Sequence, residues 1–434
     1  MRICIINHLS PSCNPRTVKE ADALADAGHD VRVVSVNNSS STDSADSRLL
    51  QGRQWRYEAA NYSRKDFRGT ARWLTSGLST RMYRRIAAVS FESGIAERAF
   101  CRFRMGQLKS VMREPADMYI AHNLPSLPVA AAAAAVGGAI WGFDIEDYHL
   151  DEDSPGPFDP LSIRLKAYLM GKYLPQCSHS STTSEAMADA IVDSLHVQRP
   201  LVLYNAFPLS SAAGAAPPEK REASHCHSAA ARVYEAYWVS QVIGLDRGIQ
   251  DFIRAMPGFR NRINLHLRGR VKEATRGNLM ELAGVMGVAD RLFFHEQIHA
   301  EDLVTDASRF DFGLALEQPI NTNRRVTITN KFFVYLMAGL VPIMTDTPGQ
   351  REVGKEIGSS CVIYQPGDTE SLIAKVNRLL AYPERMLQAK NDAWEAARAR
   401  FCWDIEKGKL ISRIGEIAKS SKDKHRGTKT LEDL

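Results

Sequence analysis

This 434-residue sequence has no paired cysteines, no long apolar segment and no dinucleotide-type glycine pattern. Its seven cysteines are scattered, with none in Cys-x-x-Cys spacing, and no secretory apolar stretch precedes residue 20. That usage predicts a reduced, cytoplasmic setting. The longest apolar run, Val129 to Phe143, is 15 residues and is broken by Gly137 and Gly138. A membrane span needs roughly 18 or more, so none is expected. No Gly-x-Gly-x-x-Gly follows the first apolar run, which argues against a nicotinamide cofactor. His225-Cys-His227 offers three ligands within three residues, which cannot close a tetrahedral zinc site alone, so no metal is expected.

What remains is ordinary globular usage. Hydrophobic residues at 44% and charged residues at 24% exclude collagen, coiled coil and wholesale disorder. The 55 Lys and Arg against 50 Asp and Glu leave only +5, too little to mark a nucleic-acid binder. The distribution says more than the sum. Between Arg64 and Arg113 there are 12 basic and three acidic residues, a local +9 that leaves −4 for the rest. In that window Leu74, Leu78 and Met82 recur at helical spacing, flanked by Arg81, Arg84 and Arg85. This is the composition of an interfacial helix on anionic lipid, where each basic residue near the surface adds about 1 kcal/mol. The same pattern also suits a stripe packed on a sheet.

Along the chain, short apolar runs alternate with helical patterns. Strands are expected at 2–6, 31–36, 117–121, 139–143, 178–183 and 201–204, with helices at 17–27, 126–136 and 185–195 between them. Residues 209–231 lack periodicity and read as a linker or irregular loop. Alternation restarts with strands at 234–239, 264–267, 292–294, 312–316, 341–345 and 360–363, and helices at 248–256, 275–286, 300–307, 330–338 and 368–381. The expected architecture is α/β with two doubly wound domains, 1–208 and 232–385, then helices over 386–418 and a disordered tail over 419–434. Ligands of such sheets lie at the carboxyl ends of the strands, in a cleft between facing domains.

The sharpest stretch is Thr329-Asn-Lys-Phe-Phe-Val-Tyr-Leu-Met-Ala-Gly339, a helix with Thr329 or Asn330 at its N-cap and Lys331 in its first turn. Free N–H groups, a positive dipole end and a lysine together suit phosphate. This stretch, with Asp346-Thr-Pro-Gly-Gln-Arg-Glu352 behind it, resembles the C-terminal signature of the large retaining family of GT-B glycosyltransferases. Further similarities follow in chain order: Asn14-Pro-Arg16 with Ala27-Gly-His-Asp-Val31, Tyr119-Ile-Ala-His-Asn123, Phe143-Asp-Ile-Glu-Asp147, Thr183-Ser-Glu185, Tyr204-Asn205 and Arg400-Phe-Cys-Trp-Asp404.

The resemblance implies a GT-B fold and transfer of a sugar from a nucleotide sugar, UDP- or GDP-linked, with no cofactor or metal required. The acceptor would be a cell-surface polysaccharide, glycolipid or glycoprotein, met by the N-terminal domain. The enzyme would be peripheral on the inner face of the cytoplasmic membrane, with Arg81, Arg84 and Arg85 at the lipid surface. It places Arg247, Arg268, Thr329, Asn330 and Lys331 at the nucleotide sugar, and Asn14 and Arg16 in the acceptor-side first loop. His122, Asp144 and Glu317 are its catalytic candidates; an imidazole titrating near neutrality suits a sugar hydroxyl or proton transfer. Many members carry two Glu residues, where this sequence has Val326 and Val334. A sugar-nucleotide 2-epimerase and a non-catalytic scaffold on the same fold are the alternative readings.

Overall fold

The computed structural model describes residues 1–38, 43–152, 159–222 and 232–432, with side chains of the last helix described to Ser420. The chain forms two compact units. The first comprises Met1–Thr183, Ala188–Leu203 and Lys407–Leu434; the second comprises Ser184–Met187 and Tyr204–Glu406.

The first unit carries seven strands: β1 (Arg2–Asn7), β2 (Asp30–Asn37), β3 (Arg56–Asn61), β4 (Met118–His122), β5 (Ile140–Ile145), β6 (His179–Thr182) and β7 (Leu201–Val202). They form one sheet in the order β3-β2-β1-β4-β5-β6-β7, every pair parallel. β1 and β4 are apolar and buried along nearly their whole length, as strands covered on both faces must be. β3 was not expected: its Arg-Tyr-Glu-Ala-Ala-Asn sequence is largely polar because it lies at the sheet edge and is only half-buried. Register aligns Asn7 with His122, His122 with Asp144 and Asp144 with Ser181, one polar row across the carboxyl end of the sheet.

The second unit carries β8 (Tyr234–Ile243), β9 (Ile263–Val271), β10 (Leu292–His295), β11 (Phe312–Ala315), β12 (Val341–Thr345) and β13 (Val362–Tyr364). Their order is β10-β9-β8-β11-β12-β13, again parallel. A continuous core built on Trp238, Phe252, Leu265, Phe312 and Ile343 fills one side of this sheet. The α/β class and two doubly wound sheets therefore stand as expected. The helical region expected over 386–418 is two helices, Pro383–Ala399 and Trp403–Glu432. Of the stretch 209–231, the described part holds a turn at Leu209–Ala212 and a helix at Pro218–Glu222. The His225-Cys-His227 tract lies outside the described residues.

Candidate functional site

In the first unit, the polar row gathers charge. Asn14 caps the helix Pro15–Asp26, its side chain accepting from Thr17 N, with Pro15 preset at the first position. That cap points Arg16 and Glu20, one helical turn apart, at the strand ends. Arg16 is 2% exposed and grips Asp144 with two bonds, Nε to Oδ2 at 2.5 Å and Nη2 to Oδ1 at 2.8 Å. Its Nη1 donates to the Leu203 carbonyl at 2.8 Å, and Ser181 Oγ donates to Asp144 Oδ1 at 2.5 Å.

His122 has no exposed surface. Its Nε2 donates to Glu20, and its Nδ1 to Glu146 at 3.2 Å with Asp144 Oδ2 at 3.4 Å. Burial alone would depress its pKa, but Glu20, Glu146 and Asp144 outweigh that and raise it to about 10. These carboxylates favour the imidazolium form and move His122 above the near-neutral titration expected of it. Burial likewise opposes ionisation of Asp144, yet Arg16 and then His122 hold its carboxyl at about 2. Glu20, His122 and Asp144 lie close enough to share a metal ion. However, Arg16 occupies both Asp144 oxygens and carboxylates occupy both His122 nitrogens, which is the pattern of a closed ion-pair network.

In the second unit, Glu317 lies just past β11 and is 5% exposed. Three cations converge on it: Lys331 Nζ at 2.6 Å, Arg324 Nη1 at 2.8 Å and Arg247 Nη1 at 3.4 Å. Arg324 also donates to Asp246 at 3.0 Å, so three positive charges face two negative ones. Gly248 makes this approach feasible: its φ is +71°, and a Cβ there would come within 2.2 Å of the Leu316 carbonyl. Thr329 Oγ1 accepts from Lys331 at 3.1 Å, and Asn330 Oδ1 accepts from Asn205 at 3.0 Å at the start of the helix Asn330–Met337.

Arg247, Thr329, Asn330, Lys331 and Glu317 are thus brought together, and Asn14, Arg16, His122 and Asp144 form a second group. Arg268 joins neither: it is buried against Asp306, at 2.7 and 3.2 Å, and the Tyr237 hydroxyl. Sequence reasoning missed Arg324, Glu20 and Glu146. Period two in β5 carries Asp144 on to Glu146, and helical spacing carries Arg16 on to Glu20, so both were readable. Arg324 carried no comparable signal, because a carboxylate was sought in its vicinity.

Arg81 and Arg85 are exposed on the helix Phe67–Ala87, whereas Arg84 pairs with Asp159 and Ser162. The helix turns its stripe outward: Leu74, Leu78, Met82 and Ile86 are 53%, 64%, 51% and 40% exposed. Packing on the sheet, the other reading of that stripe, is not what occurs. Trp73 faces inward instead, against Val36, Ala60, Tyr62 and Phe103.

No protein-family model matches the sequence, and no curated protein matches it in sequence. Solved structures do match in shape. HepE of Anabaena in complex with UDP superposes with a TM-score of 0.67 at 13% identity, over 96% of this chain and 100% of that one. Sucrose-phosphate synthase of Thermosynechococcus elongatus gives 0.68 at 13% identity, over 97% and 100%. The chain has the GT-B fold. The α,α-trehalose 6-phosphate synthase of Burkholderia multivorans shares that GT-B architecture, with a TM-score of 0.61 at 13% identity over 97% of this chain and 99% of its own.

Proposed function

We propose that the protein is a glycosyltransferase, moving a sugar from a nucleotide sugar, a UDP-sugar in the first instance, to an acceptor of the cell-surface polysaccharide, glycolipid or glycoprotein kind. One observation carries this reading: Arg247, Arg324 and Lys331 crowd a single buried carboxylate, Glu317, beside the N-terminus of the helix Asn330–Met337. A departing nucleoside diphosphate develops charge, and preorganised cations plus free helix N–H groups stabilise it without a metal ion. Glu317 holds the cations in place with both of its oxygens, a positioning role on this reading. HepE, of similar fold, has been solved with UDP and with UDP-glucose, which supports a UDP-linked donor. Retention of configuration belongs to this reading as well.

The first unit would meet the acceptor, and the cytoplasmic membrane face would be its workplace. The exposed row Leu74, Leu78, Met82 and Ile86 supports that location, because the helix bearing it contains five arginines and no acidic residue. Charge complementarity selects anionic lipid as the occupant of that face.

The test is a panel of UDP, GDP, ADP and TDP in thermal melts. A ligand at 100 times its Kd stabilises by about 2.7 kcal/mol, and one of the four should do so. Lys331→Ala should abolish the shift while the protein stays folded, since Arg324 and Arg247 still pair Glu317. A flat response to all four would end the transferase reading. It would favour a non-catalytic scaffold, which buried Val334 and Val326 also suit. Release of free nucleotide diphosphate with no acceptor present would favour a 2-epimerase.

A further inference from the structure

We propose that Glu146 binds a hydroxyl of a neutral saccharide acceptor, and that the buried charges behind it serve to aim it; this rests on the transferase reading above. Three carboxylates meet at His122, and only one of them reaches solvent. The side chains of Asp144 and Glu20 are 1% and 4% exposed and that of Glu146 is 17%. Glu146 follows directly on β5, at the carboxyl edge of the parallel sheet, where α/β folds present residues to ligands.

Its carboxylate is fixed through one oxygen. Oε1 accepts from Asn14 Nδ2 at 2.7 Å and from His122 Nδ1 at 3.2 Å, while Oε2 has no hydrogen-bond partner among the described residues. Around it, Arg16 and His122 pair with Asp144 and Glu20, and Lys19 interacts electrostatically with both Glu146 and Asp144. Glu146 is therefore a held carboxylate with one oxygen left to accept. Such a group takes O–H donors. The chemistry that fits is an uncharged face of a sugar that offers a free hydroxyl. His122, Asp144, Arg16 and Asn14 are positioning residues on this account, acting through Glu146.

The experiment measures saturation-transfer NMR and titration of the whole protein against methyl α-glucoside, methyl α-mannoside and methyl β-galactoside, with UDP-induced melting shifts run in parallel. At least one glycoside should bind, and Glu146→Gln should weaken it ten-fold or more, with the UDP shift unchanged. Asn14→Ser keeps an N-cap oxygen but removes the amide donor; it should weaken the same glycoside several-fold. Equal affinity in Glu146→Gln and wild type would overturn the assignment, as would failure of all three glycosides on a protein that binds UDP. Absence of the UDP shift in the wild type would instead overturn the transferase reading, and this proposal with it.

Discussion

Arg16 and Asp144 are a buried pair whose value lies in being complete. Removing one partner strands a charge where water cannot reach it, which costs about 3–5 kcal/mol. Arg16→Ala should therefore lower stability by that amount in denaturant melts, and Asp144→Asn should cost a comparable amount. His122 provides a test in pH. Its pKa is raised from 6.5 to about 10, so its stabilisation is full below 6.5 and disappears as pH rises through about 10. The stability gap between wild type and His122→Gln should narrow steadily across that interval. A gap that stays constant would mean that the imidazole is neutral. On the acid side, Asp144 is depressed from 3.8 to about 2, so its contribution holds above 3.8 and is lost as pH falls through about 2.

At the scale of the element, the helix Phe67–Ala87 carries the clearest departure from ordinary burial. Only Gly69 and Ala87 on it are buried, and its apolar row faces outward with exposed Arg81 and Arg85 alongside. Exposed substitutions usually change stability by less than about 0.5 kcal/mol. Leu78→Glu combined with Arg81→Glu and Arg85→Glu should therefore leave the melting temperature in place while abolishing co-sedimentation with phosphatidylglycerol vesicles. Sedimentation unchanged by the triple variant would reject a lipid face, and concentration-dependent dimers lost in that variant would point to a second copy as the occupant. The helix Asn330–Met337 shows the opposite arrangement: its apolar side chains and even Lys331 are buried, with Lys331 turned onto Glu317.

At the scale of the molecule, the two sheets follow from the sequence in a direct way. Parallel strands buried on both faces need short unbroken apolar runs, and those at Ile3–Ile6, Met118–Ala121 and Val341–Met344 announce themselves. The edge strand β3 does not, because half-buried edges tolerate polar residues. The motif around Lys331 was legible because a cap, a lysine and an apolar helix follow one another along the chain. The partners of Lys331 were not: Arg247 lies 70 residues before Glu317, and the two meet, with Arg324, only when β8 and β11 pair.

By itself, then, the sequence determined the period of each element, the α/β class and the places where charge collects. Those properties are local, set by spacing and side-chain type. The tertiary structure alone decided which charges cancel. It paired Arg16 with Asp144 and Arg268 with Asp306, surrounded His122 with carboxylates that raise its pKa and turned the apolar row of the basic helix outward. Ionisation and exposure depend on neighbours brought together from distant positions in the chain, and those neighbours exist only once the strands are in register.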